Sequence, residues 1–504
     1  MRRALAALAL LAVFIAPVLA PIAFAEQKPV TITIGALLPL TGDLSDYGAR
    51  QKATLEVAIK DMNKYLEEHH AWFRLALAVE DTATQPDQAV QKFNALVARG
   101  IKFIIGPMSS AEAKKVKDLA TQQNVLLISP SSTADELAIP GDNLYRFCSP
   151  NAVEAEALVK LMQDLGIKGI VLIVRADTWG EDLKKAIQEN ADKAGIEYKP
   201  ALEYNPESPN FGAIAAQAKT YVDELAKKYG KPHVAVVVLA FKEAVQLMTE
   251  AANYKTLRDV LWIGSDATAK LASISEDPVV RQFAKETLFI NPLYAPAATE
   301  NQKRIAEQVK AMIGDVPDAY SYAGYDAVVA IALALMKAPP DIRNNPDKLV
   351  DFVKKQLDNG LTMSDEFAKL SATGKFPLSK AGDRATADFD WWIVYDFNGK
   401  WDWYLVGKYL GLKRVIKWYT INGVTYPELV KQKFGGAAAT ATSTQTSKPQ
   451  TTTTSQAPSP TATAAPQPAT TTTKKGGGNT GLVIGAVIVI IIIVVGAALA
   501  LRKK

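Results

Sequence analysis

Apolar residues fall along this chain in two alternating rhythms, short unbroken or alternating runs and longer stretches with helical spacing. The runs over 30–38 (VTITIGALL), 73–79, 103–105 and 125–128 are brief, rich in branched residues and bounded by Gly, Pro or polar residues, as strands are. Between them, 49–66 and 87–99 carry apolar residues at helical spacing, and 111–124 reads as a polar helix. A β-α-β-α-β-α-β series of this kind predicts a parallel, doubly wound sheet. Around 144–150 (LYRFCSP) the pattern restarts: helices over 153–165, 180–193, 211–229 and 243–253 alternate with strands over 169–174, 234–240 and 260–263. The run VAVVVLA at 234–240 is apolar enough to be buried on both faces, so a second sheet of the same type follows. Helices over 300–312, 319–336 and 346–357 come next, then a loop-like stretch at 374–388. Two alternating aromatic runs around Asn398-Gly399 then predict a hairpin. Its tryptophans, Trp391, Trp392, Trp401 and Trp403, read as cross-strand packing rather than a stacking platform.

The two ends of the 504-residue chain break this pattern. Residues 1–25 join Arg2 and Arg3 to an apolar core and an A-x-A site at Ala23–Ala25, the layout of a secretory signal peptide. Residues 435–478 are rich in Thr, Ser, Pro, Ala and Gln with no acidic residue, a composition that buries no core and predicts a disordered stalk. Residues 481–501 carry no charge and as a helix would span about 31 Å, so they predict one C-terminal transmembrane helix. The basic tail 502–504 places that end in the cytoplasm and the ectodomain outside the cell membrane. Eight of the 57 basic residues and none of the 52 acidic ones lie in these ends, which leaves residues 26–434 slightly acidic and gives nucleic-acid binding no support. One cysteine, Cys148, excludes an intrachain disulfide, and three histidines (His69, His70, His233) supply no metal-site spacing, so no cofactor is expected.

Candidate chemistry gathers where predicted strands end. Ser109 and Ser110 follow one strand; Ser129, Ser131, Ser132 and Thr133 follow the next. In an open α/β sheet ligands sit at the carboxyl ends of strands, and a helix starting at Ser110 would turn free N–H groups toward an anion. The same residues also serve as helix caps and turn formers. The pairs Tyr47-Gly48 and Trp179-Gly180 occupy equivalent strand-to-helix turns in the two halves and would direct two rings toward a shared cleft. Phe241 would add an apolar wall, and Asp266, at the end of a strand in the second half, could pair with an ammonium group. Ser110, Ser131 and Thr133 suit a carboxylate, so the set complements a zwitterion with an apolar side chain. No G-x-S-x-G elbow, Walker A loop or G-x-G-x-x-G motif occurs, and the chain does not read as an enzyme.

The pieces IGALLPLTGDLSDYG, GIKFIIGPMSS, VLLISPSSTADEL, LYRFCSPN, RADTWGEDL and LWIGSDA, in this order, resemble the leucine/isoleucine/valine-binding proteins of ABC importers from residue 30 to about 403. The resemblance implies a type I periplasmic-binding clamshell: two doubly wound lobes joined by a three-strand hinge, with crossovers near 147–151, 290–296 and 382–388. It implies lobe 1 over 26–148 and 292–385, and lobe 2 over 149–291 and 386–434. It also implies a side-chain contact from Ser110, a backbone contact at Ser131, a hydroxyl contact at Thr133 and a ring from Tyr47. Departures fall in the second lobe, where Trp179 and Phe241 replace family tyrosines and Asp266 replaces a longer ammonium-binding glutamate. The expected ligand is therefore an amino acid, branched-chain or otherwise apolar, and the expected partner an ABC permease, with the membrane engaged through the C-terminal helix. A receptor for urea, short amides or another small polar solute, or a ligand-sensing surface protein, would fit the same fold.

Overall fold

The computed structural model describes residues 28–435 except 296 and 398. The expected signal peptide, the stalk beyond its first residue, the membrane helix at 481–501 and the basic tail lie outside the described residues, as does Asn398 of the expected turn.

The first sheet has the order β2-β1-β3-β4-β5 and is wholly parallel. Its strands are β1 (Val30–Leu38), β2 (Phe73–Asp81), β3 (Phe103–Ile105), β4 (Leu126–Ser129) and β5 (Leu144–Arg146). Helices α1 (Ser45–Glu68), α2 (Pro86–Ala98) and α3 (Ser110–Gln122) make the crossovers. This order reverses direction between β1 and β3, the switch point at which a doubly wound sheet opens a crevice beyond its strand ends. β5 is three residues long, too short for its pattern to separate it from the loops around it, and it extends the expected series by one strand.

The second sheet runs β14-β13-β12-β11-β10-β9-β6-β7, with β8 also beside β6. Its parallel part is β6 (Gly169–Arg175), β7 (Glu197–Tyr198), β8 (Leu202–Tyr204), β9 (Val234–Leu239), β10 (Leu261–Ile263) and β11 (Ile290–Ala295). Helices α4 (Asn151–Asp164), α5 (Thr178–Ala194), α6 (Phe211–Tyr229), α7 (Ala244–Ala251) and α8 (Pro278–Glu286) pack on it. β11 then pairs antiparallel with β12 (Asp388–Phe397), which forms a hairpin with β13 (Lys400–Leu410). β14 (Val415–Trp418) closes that edge. β11 keeps the chain in the second sheet through Ala295, past the boundary set at 291; Pro292 inside it hid the strand, since proline weakens a strand reading.

Between β11 and β12 the chain returns to the first sheet as α9 (Glu300–Ile313), α10 (Ala319–Met336) and α11 (Pro346–Asp358). α10 is apolar around nearly its whole circumference and is buried accordingly. It is the one helix among the described residues long and apolar enough to cross a membrane, and the fold uses it as core. The returning segment docks beside β5, where Asp383 bridges Arg146 in parallel and the Arg384 N–H donates to the Arg146 carbonyl at 2.9 Å.

Candidate functional site

On the first lobe, two strand ends are laced into one rim. Ser109 caps α3: its Oγ accepts the Glu112 N–H at 3.2 Å, while Glu112 Oε2 accepts the Ser109 N–H at 3.1 Å. Ser110 is then the first helical residue, and its Oγ accepts the Ala134 N–H from the loop after β4 at 3.1 Å. In that loop the Ser131 hydroxyl donates to the Met108 carbonyl at 2.8 Å and Ser129 Oγ donates to the Pro107 carbonyl at 2.6 Å. Arg146 locks the loop from beneath. It holds Asp383 through two bonds of 2.6 and 2.8 Å and gives Nη1 to the carbonyls of Ser132 and Ala134 at 2.9 and 2.6 Å. The hydroxyls are thus oriented before any ligand arrives.

The equivalent turns of the two lobes bring a ring each to the cleft. Gly48 lets α1 start against the backbone of the preceding loop, since a Cβ there would stand 2.1 Å from the Pro39 carbonyl oxygen. Gly180 does the same for α5 against Arg175, also at 2.1 Å. Tyr47 spans the cleft: its hydroxyl donates to the Ala269 carbonyl at 2.8 Å, with the Asp266 carbonyl at 3.1 Å. Burial raises its pKa well above the usual tyrosine value and keeps it neutral. Trp179 packs on Phe241 with ring centroids 4.9 Å apart, and the Arg175 guanidinium lies 4.3 Å over the other ring. Arg175 in turn binds Asp177, Glu243 and, across the cleft, Asp43, at 2.7, 2.7 and 2.8 Å.

Asp266 opens the 3-10 turn Asp266–Thr268 after β10 and is 3% exposed. Its Oδ2 accepts a short hydrogen bond from the Tyr320 hydroxyl of α10, and its Oδ1 has no partner. Its N–H donates to Glu154 Oε1 of α4 at 3.0 Å. Burial raises the pKa of both acids, Glu154 the more strongly, since the Tyr320 O–H and the Ala267 N–H favour the ionised form of Asp266.

These groups surround a small inter-lobe cavity of about 30 Å³. Six of the seven residues singled out in the sequence line it: Tyr47, Ser110, Ser131, Trp179, Phe241 and Asp266. Thr133 is not among its lining residues; it is buried, with its hydroxyl unpartnered. Of the five further wall residues, Ser109 was noted at the strand end but not assigned to the site, and Leu44, Met108, Ala267 and Tyr320 escaped notice. Leu44, Met108 and Ala267 lie close in sequence to residues that were noticed, whereas Tyr320 sits in a helix whose apolar composition reads only as core. None of the four hairpin tryptophans faces the cavity; Trp391 is buried, and Trp403 donates its Nε1–H to the Leu271 carbonyl at 3.1 Å. Among the described residues no cluster of His, Cys, Asp and Glu is arranged to hold a metal ion.

Residues 31–376 match the model of the periplasmic binding protein family. The chain is 30% identical over 404 residues to the uncharacterized protein MJ1266 of Methanocaldococcus jannaschii, covering 78% of this chain and 93% of that one. It is 26% identical to the Leu/Ile/Val-binding protein homolog 3 of Brucella melitensis, covering 78% and 97% respectively. Among solved structures, the leucine-binding protein LivK of Thermotoga maritima shares the fold with a TM-score of 0.59 at 17% identity, over 74% of this chain and 97% of that one. Family match, two-lobed sheet topology and inter-lobe cavity agree: this chain belongs to the periplasmic binding proteins, solute binders rather than enzymes.

Proposed function

We propose that the chain is the substrate-binding protein of an ABC importer and captures an amino acid with an apolar, branched side chain by closing its lobes around it. One observation carries this reading. A cavity with neutral hydroxyls on one wall is lined on the other by a buried carboxylate, Asp266, that among the described residues has no basic partner. A zwitterion matches both walls: its carboxylate meets the first-lobe hydroxyls and backbone, and its ammonium meets the Asp266 carboxylate. Leu44, Met108, Trp179 and Phe241 leave an apolar lining for the side chain. The Leu/Ile/Val-binding relative and the shared fold of a leucine-binding protein support the same ligand class.

Closure follows from the contacts that exist only when the lobes meet, including those from Tyr47 to Ala269 and from Tyr320 to Asp266. The closed form is then offered to the permease. The uncharged run at 481–501, with basic residues after it, supports tethering to the outer face of the cell membrane. Isothermal titration with leucine, isoleucine, valine, glutamate, lysine, urea, acetamide and a hexose tests the ligand class. Heat with the apolar amino acids alone is the expected result; binding of urea, an amide or a sugar in their place would overturn it.

A further inference from the structure

Glu154 is the buried acid that amino-acid capture leaves without a role. It stands in the first turn of α4 at 2% exposure, and the partner recorded for it is the Asp266 N–H. Among the described residues neither Glu154 nor Asp266 has a cation within ion-pair distance. The nearby candidates are engaged elsewhere: Arg146 with Asp383, Arg175 with Asp43, Asp177 and Glu243, and Arg50 with Asp315. Two ionised carboxylates side by side, out of water and without a counter-charge, are avoided by keeping a proton on one of them. The donors decide which one. Asp266 lines the cavity and receives the Tyr320 hydroxyl on Oδ2 and the Ala267 N–H, against the single Asp266 N–H on Glu154, so its ionised form is the better supported of the two.

We propose that Glu154 is a neutral, proton-bearing acid in the free receptor, donating to the Asp266 carboxylate so that the pair presents one negative charge to the ligand's ammonium group. This rests on the amino-acid reading of the cleft. Glu154 is a positioning residue: it holds the backbone of the Asp266 turn and sets how readily Asp266 ionises.

The other titratable groups facing the pair are Tyr320 on α10, Tyr47 on α1, Cys148 before α4 and, stacked on Tyr320, Tyr294 on β11. Burial raises the pKa of each, the Cys148 thiol to about 12, so all stay neutral between pH 5 and 8. An ammonium group needs Asp266 ionised, so affinity falls as the pH drops through the raised pKa of Asp266. Asp135 and Asp326 also titrate in this window, near 6 and 7, but are common to the wild type and the variants and cancel in the comparison.

The test is leucine calorimetry from pH 5 to 8 on the wild type and Glu154→Gln, with infrared spectra of both free proteins. An amide is a weaker donor than a carboxylic acid, so Asp266 ionises less readily in the variant. The acid limb should move to higher pH, with affinity near its midpoint falling roughly fivefold, and the variant should lose a protonated-carboxyl stretch seen in the wild type. Were Glu154 ionised, removing its charge would move the limb to lower pH; a limb moved down, or a limb and carboxyl band both unchanged, overturns the proposal. If leucine gives no heat at any pH, the amino-acid reading falls, while the infrared difference still decides the state of Glu154. If Glu154→Gln does not fold, Asp266→Asn should shift the Glu154 band as its acceptor changes from carboxylate to amide, and an unshifted band overturns the proposal.

Discussion

The two walls of the cleft solve the problem of being empty in opposite ways. On the first lobe every group proposed for the ligand carboxylate is neutral, and the Ser110 and Ser131 side chains already have protein partners, the Ala134 N–H and the Met108 carbonyl. Those two side chains are satisfied without a ligand. On the second lobe Asp266 has no basic partner among the described residues and a second acid, Glu154, against its backbone. A buried charge without a counter-charge is a standing cost. The penalty for closing on nothing is therefore concentrated on the second lobe, and a ligand ammonium removes it there.

The largest effect expected from this contrast is on stability. The Arg146–Asp383 pair is buried and joins the rim loop, through two backbone carbonyls, to the segment returning from α11. Arg146→Met leaves the Asp383 carboxylate buried and unpaired, a loss of about 3–5 kcal/mol. Urea denaturation should show it, with leucine affinity falling as the rim loses its support. A variant of unchanged stability would mean that the first wall does not depend on this strut.

Next in size is the charge itself. Asp266→Asn keeps the size of the side chain and removes the negative charge, so leucine binding should weaken by about 2–5 kcal/mol, read by calorimetry and mainly in the off-rate. Ser110→Ala removes one hydroxyl from a wall that retains other donors and should cost about 1.5 kcal/mol, roughly tenfold in affinity. A serine variant as damaging as the aspartate one would erase the distinction between the walls.

The same contrast governs what the sequence reveals. The first wall is built from two consecutive strand-turn units, so its serines lie within a few residues of recognisable strands and a helix start. The helix starts at Ser110 as the pattern indicated, and the reach of Glu112 back to Ser109 makes Ser109 its cap. Asp266 was legible as an acid just past a strand, and Tyr47 and Trp179 through their matched glycines. Glu154 was not: an acid in the first turn of a helix already has an ordinary reason to be there, opposite the helix dipole. Its contact with Asp266 spans 112 positions and has no local signature. The lobes themselves followed from alternation, whereas β5, at three residues, and β11, broken by Pro292, fell below what a pattern can show.

The smallest effect concerns the mouth of the cleft, where the lobes are also joined by charge. Arg175 reaches Asp43 at 2.8 Å and Lys242 reaches Asp46 at 3.2 Å, both across the gap. These pairs border solvent, and Arg175 keeps Asp177 and Glu243 when Asp43 is removed. Asp43→Asn should therefore cost only about 0.2–1 kcal/mol, seen in stopped-flow kinetics as a leucine off-rate up to about fivefold faster at low salt, with the difference fading as ionic strength rises. The salt series sharpens the contrast between the walls, because Asp266 lies buried beyond the reach of screening ions and its contribution should persist at high salt. If the off-rate of the wild type itself rose steeply with salt, closure would be held by the mouth, and the uncompensated charge of Asp266 inside the cleft would no longer explain why a ligand is needed.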